Sequence, residues 1–70
     1  MRDANRLDSF YDEVKRIHKT HFPDWRFGQL CSNFFGWLMS KHKVDLFFPE
    51  DGKMLDYLRE YVDETIKPKE

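Results

Sequence analysis

The sequence predicts a small all-α domain made of three helices. Apolar residues recur at helical spacing in three stretches, and the prolines at positions 23, 49 and 68 fall between or after them. Seventy residues make one domain, and a chain this short buries only about 60% of the surface that it exposes when unfolded. With a single cysteine, Cys31, no intrachain disulfide can form. The fold must therefore depend on its large side chains, which include seven Phe, three Tyr and two Trp.

The first helix is predicted from about Asp3 to His21. Its apolar stripe repeats at steps of three and four residues and consists of Leu7, Phe10, Tyr11, Val14, Ile17 and His18. Asp3 is suited to cap the first turn, and Asp12 and Arg16 form an i,i+4 pair of opposite charge. The helix must end just before Pro23, because proline disfavours the helical conformation in the residue that precedes it.

The second helix is predicted from the Pro23-Asp24 turn, with Asp24 as its N-cap, to about Ser40. Its apolar arc covers roughly 200° and consists of Phe27, Leu30, Cys31, Phe34 and Leu38, widened by Phe35, Trp37 and Met39. Such a wide arc predicts a central helix that is covered on both flanks. Gly28 and Gly36 lie toward the remaining side, where they either permit close approach of another backbone or, at Gly36, end the helix early.

The third helix is predicted to begin between Pro49 and Asp51 and to keep its apolar period as far as Ile66. Before it, residues 44–49 form a short apolar connector, which we expect to be extended, after a basic helix end at residues 41–43. Residues 1–67 then make one helical domain, and residues 68–70 make a frayed C-terminal tail.

Charge and hydropathy exclude several classes of protein. The net charge is −1, but residues 1–43 carry eight Lys/Arg against five Asp/Glu and residues 44–70 carry four against eight. This +3 and −4 division could steer a partner or let two copies meet head to tail. The alternative, which we favour, is two solvated faces with ordinary charge scatter. No apolar signal segment and no membrane-length apolar run occur, so we expect a cytoplasmic protein that makes no membrane contact.

No residue pattern predicts catalysis, a metal or a cofactor. The side chains that could bind a soft metal are His18, His21, Cys31 and His42. A structural zinc site needs four ligands in a tetrahedral array, and Cys31 falls in the middle of an apolar stripe. The same predicted burial argues against a thiolate nucleophile, and the carboxylates of the third helix suit a solvated face better than a cleft. We therefore expect a protein that is not an enzyme.

Binding to another protein, or to a second copy of the chain, fits the sequence best. The candidate partner-binding residues are Trp25, Arg26, Phe35, Trp37, Phe47 and Phe48. So many large side chains are hard to bury in a domain of this size, and exposed aromatics mark interfaces. The alternative is that each of them closes the core, with Trp25 and Phe27 against the first helix and Phe47 and Phe48 sealing the junction between the second and third.

A second functional hypothesis is a small regulator associated with nucleic acid. It would use the basic residues of the first helix and Lys41, His42 and Lys43. Phosphate contacts dominate affinity for DNA, yet the third helix, where a recognition helix would lie, carries Asp56, Glu60, Asp63 and Glu64. This acidic character favours the protein-binding hypothesis.

The segment from Phe22 to Leu30, which reads Phe-Pro-Asp-Trp-Arg-Phe-Gly-Gln-Leu and is followed by Asn33, carries a Pro-Asp-x-Arg-x-Gly-Gln-Leu pattern. Together with Arg2-Asp3 and the Asp45–Phe48 and Glu50-Asp51 segments, it resembles a family of small uncharacterised bacterial proteins. The resemblance implies a free-standing cytoplasmic protein of bacterial or mobile-element origin, and no activity or binding residue follows from it. Arg26 and Gln29 would either bond to the preceding loop or recognise an external carboxylate or carbonyl.

Overall fold

Three helices of equal length make up the fold in a computed structural model, which describes residues 2–66. They are α1 (Arg6–His21), α2 (Phe27–His42) and α3 (Asp51–Ile66). The described residues contain no β-strand, so the predicted all-α fold is confirmed. The predicted tail at 68–70 lies outside the described residues.

Local hydrogen bonds explain where α1 begins and ends. Asp3 Oδ1 accepts a bond of 3.0 Å from the Asn5 backbone N–H, which forms a turn ahead of the helix. Asp3 therefore caps this turn, and α1 itself begins three residues later than predicted, at Arg6. At the other end the Phe22 N–H donates to the His18 carbonyl at 3.0 Å, and Pro23 then stops the helix as predicted.

The start of α2 differs from the prediction. Asp24 is not its N-cap, because Arg26 occupies that position with an extended backbone. The Gln29 side-chain oxygen accepts from the Arg26 backbone N–H at 2.6 Å and so satisfies a donor that the helix cannot. The Gln29 side chain therefore bonds to the residue that opens its own helix.

At its other end α2 runs past Gly36 without a break. The helix ends at His42, and the next residue, Lys43, caps it in a left-handed conformation with φ of 58°, donating its N–H to the Met39 carbonyl at 3.1 Å. Outside each glycine's own stretch of helix, no atom lies within 4 Å of a Cβ placed at Gly28 or Gly36. Neither glycine is therefore a point where another backbone of residues 2–66 comes close to α2.

The connector between α2 and α3 contains a turn centred on Leu46 and Phe47. Asp45 makes this turn by accepting the Phe47 N–H on its carboxylate at 3.0 Å and the Phe48 N–H on its carbonyl at 3.2 Å. An Asp side chain commonly bonds to the backbone two residues on. The connector is thus bent, where the sequence predicts a simple extended stretch.

The central helix is α3, and the prediction that the second helix is central was wrong. Ion pairs join Arg6 to Asp51 at 3.0 Å and Glu13 to Arg59 at 3.4 Å, so α1 and α3 run side by side in the same direction. In addition α3 packs against α2, whereas α1 and α2 contact each other less than either contacts α3. The wide apolar arc of α2 is accordingly covered on one flank only, which leaves Phe27 exposed to 69% and Met39 to 49%.

The buried core joins all three helices through aromatic rings. Its members are Ile17, Phe22, Leu30, Phe34, Leu38, Leu58, Tyr61 and Val62. The Tyr61 ring of α3 lies 5.9 Å from the Phe22 ring at the end of α1 and 5.6 Å from the Phe34 ring of α2. This single side chain therefore links the two outer helices to the central one.

Candidate protein-docking site

An apolar groove of about 220 Å³ opens between the three helices. We call it the α1–α2 groove. Its lining residues are Phe10, Tyr11 and Val14 of α1, Phe27, Leu30, Cys31, Phe34 and Phe35 of α2, and Met54, Leu55 and Leu58 of α3. None of these side chains carries a charge at neutral pH, although charged residues make up 36% of the chain. The groove is thus lined by apolar and uncharged side chains in a highly charged molecule.

Burial changes steeply across the groove. Leu30, Phe34 and Leu58 are at most 5% exposed and belong to the core, so they form its base. Tyr11 and Phe27 are 60% and 69% exposed and form its rim. A ring at the rim is therefore free to contact another molecule with most of its surface.

Contacts between α1 and α2 are concentrated at the turn that joins them, and the groove opens where these contacts end. The Trp25 ring stacks on the Phe22 ring with centroids 4.4 Å apart and planes 13° apart. The His18 Nε2–H donates to the Trp25 carbonyl at 2.7 Å; the ring nitrogen must be the donor, because a carbonyl oxygen only accepts. These contacts fix the short turn between the helices, and along the rest of their length α1 and α2 make little contact.

The groove offers an apolar surface with two titratable side chains, Tyr11 and Cys31. Burial raises the pKa of the Cys31 thiol. A raised pKa lowers the thiolate fraction at neutral pH and with it the nucleophilicity of the sulfur. The arrangement therefore suits burial of apolar side chains from a partner.

A separate polar seam joins α2 to α3. The Trp37 indole N–H donates to Glu64 at 3.1 Å, and the His42 Nε2–H donates to Glu60 at 2.9 Å. Lys41 pairs with both carboxylates, and its hydrogen bond to Glu60 is the main reason that the pKa of Glu60 is lowered. Every polar group in this seam has a partner within the chain, so the seam fixes α2 on α3.

The six predicted partner-binding residues lie in five different places. Phe35 lines the α1–α2 groove, Trp37 belongs to the polar seam, and Trp25 is half-buried in the α1–α2 turn. Arg26 is exposed at the start of α2. The last two, Phe47 and Phe48, pair with each other on the connector, with ring centroids 5.1 Å apart.

The positions of these residues also test the alternative that each of them closes the core. Phe47 and Phe48 are 84% and 71% exposed, so they do not seal the junction between α2 and α3. Phe27 is also exposed and does not pack against α1 as that alternative required. Of the candidates that it assigned to the core, Trp25, Phe35 and Trp37 do pack against it, each of them partly buried.

Sequence reasoning placed only Phe35 of the groove among the partner-binding candidates, because it counted Tyr11 and Phe27 in the apolar stripes that face the core. Tyr11 and Phe27 share the helical period of buried neighbours, and period alone does not tell whether a neighbouring helix covers a given position. A usable signal was the width of the α2 arc, since 200° of apolar surface is more than one neighbouring helix can cover.

The histidines and the cysteine have separate environments. His18 bonds to a backbone carbonyl, His42 bonds to Glu60, and Cys31 lines the groove. Within residues 2–66 no three His, Cys, Asp or Glu side chains converge as metal ligands would. None of the helices described has the length and apolar character needed to cross a bilayer.

Comparison of the chain with known protein families, with characterised proteins and with solved structures finds no match. The resemblance through the Pro-Asp-x-Arg-x-Gly-Gln-Leu pattern therefore stays a prediction, and the geometry of the groove is the observation that bears on function.

Proposed function

We propose that this chain is a non-enzymatic protein–protein interaction module whose docking surface is the α1–α2 groove. The observation that carries the proposal is a continuous apolar groove with two aromatic rim residues, Tyr11 and Phe27, which are more than half exposed. Burying such a surface is the dominant favourable term in protein association.

The size of the groove suits an aromatic or large aliphatic anchor. An apolar cavity of about 150 Å³ accommodates a benzene molecule, and the groove offers about 220 Å³. One Phe, Leu or Trp side chain of a partner would fill most of it. Interfaces concentrate their binding energy in a few such buried anchors.

The nucleic-acid alternative has less support. Of the basic residues that it invoked, Arg16 pairs with Glu13 at 2.7 Å and Lys41 pairs with Glu60 at 3.0 Å. Charges that are already neutralised by a neighbour offer less to a phosphate backbone. The proposal therefore uses the groove and leaves the basic residues as surface charge.

A peptide-display selection against the immobilised chain tests the proposal. Peptides are selected on the wild type and counter-selected on Phe27→Glu, which places a carboxylate at the groove rim. Phe27 is 69% exposed, so the substitution removes little buried surface, and an acidic residue in the first turn suits the helix dipole. The fold should survive, as checked by circular dichroism and melting temperature.

The expected peptides carry aromatic or aliphatic anchors and bind the wild type at least about tenfold more tightly than Phe27→Glu, since about 1.5 kcal/mol of ring burial is lost. Met39→Glu is the matched control, because Met39 is also an exposed apolar residue of α2 but does not line the groove. Peptides that fail to distinguish Phe27→Glu from Met39→Glu would disprove the groove as the docking surface.

A further inference from the structure

We draw no further inference here: the strongest candidate, the apolar α1–α2 groove with Tyr11 and Phe27 at its rim, belongs to the site already described, and nothing in the structure shows what covers it.

Discussion

Truncating Leu38 tests the rotation of α2 about its axis, on which the α1–α2 groove depends. Leu38 is 0% exposed and its neighbour Met39 is 49% exposed. Because neighbouring residues on a helix differ by about 100°, a rotation of that size would bring Met39 to the place of Leu38. The same rotation directs Phe27 and Phe35 toward the groove.

The two positions should differ widely in cost. Leu→Ala at a fully buried site costs about 3 to 5 kcal/mol, since both transfer free energy and cavity formation contribute. A domain of 70 residues has a total stability of about 3.5 to 10 kcal/mol. Leu38→Ala should therefore remove a third or more of the stability and lower Tm by at least about 12 °C. Met39→Ala should cost less than about 1 kcal/mol, because half of that side chain already contacts water and alanine favours the helix.

Urea unfolding followed by far-ultraviolet circular dichroism measures both changes. The slope of the unfolding free energy against urea should match the wild type in each variant, which shows that the same surface is exposed on unfolding. Equal losses of stability at the two positions, or a larger loss in Met39→Ala, would show that α2 is rotated differently and that the groove is lined by other residues.

Three further predictions concern single residues. The pKa of Glu13 should be about 2, lowered from 4.5 chiefly by its hydrogen bonds with Arg16. In carboxyl NMR titrations, Arg16→Gln should raise this pKa more than Arg59→Gln does. The reverse order would show that Arg59 is the main partner of Glu13. Because the folded pKa is the lower one, the ion pair stabilises the fold above pH 4.5 and this stabilisation is lost as the pH falls toward 2, so the urea midpoints of the wild type and Glu13→Gln should converge in acid. Gly36→Ala should raise the unfolding free energy by about 0.5 to 1 kcal/mol, since nothing lies within 4 Å of the added Cβ; a loss would reveal a neighbour at that position. Iodoacetamide should alkylate Cys31 more slowly in the native protein than in urea, because burial raises the pKa of the thiol, and equal rates would count against a buried thiol.

The helices follow from local sequence because their causes are local. The period of apolar residues and the position of Pro23 set α1 and its end, and both agree with the structure. The first residues of α1 and α2 were less predictable from the sequence. Asp3 and Asp24 are good capping residues by type, yet the backbone turns before α1 and α2 place the starts at Arg6 and Phe27.

The ion pair of Arg16 shows how a second helix selects between local options. Asp12 and Glu13 both lie within one turn of Arg16, and sequence rules favoured Asp12. In the structure Arg16 bonds to Glu13, which also pairs with Arg59 of α3. Packing of α3 against α1 brings Arg59 to Glu13, and that contact is not visible in the sequence of α1.

For the candidate site, too, the sequence predicted one part and the tertiary structure decided another. The large number of aromatic residues is a property of composition, and from it the sequence predicted an exposed aromatic patch, with closure of the core by the same residues as the alternative. Which ones are exposed is a tertiary property: Trp25 and Trp37 pack against the core, whereas Phe27, Phe47 and Phe48 stay more than two-thirds exposed. The reason is physical. Helical period fixes which residues share a face, but only the placement of α3 between its neighbours decides which faces are covered, and that placement left the groove between α1 and α2 open.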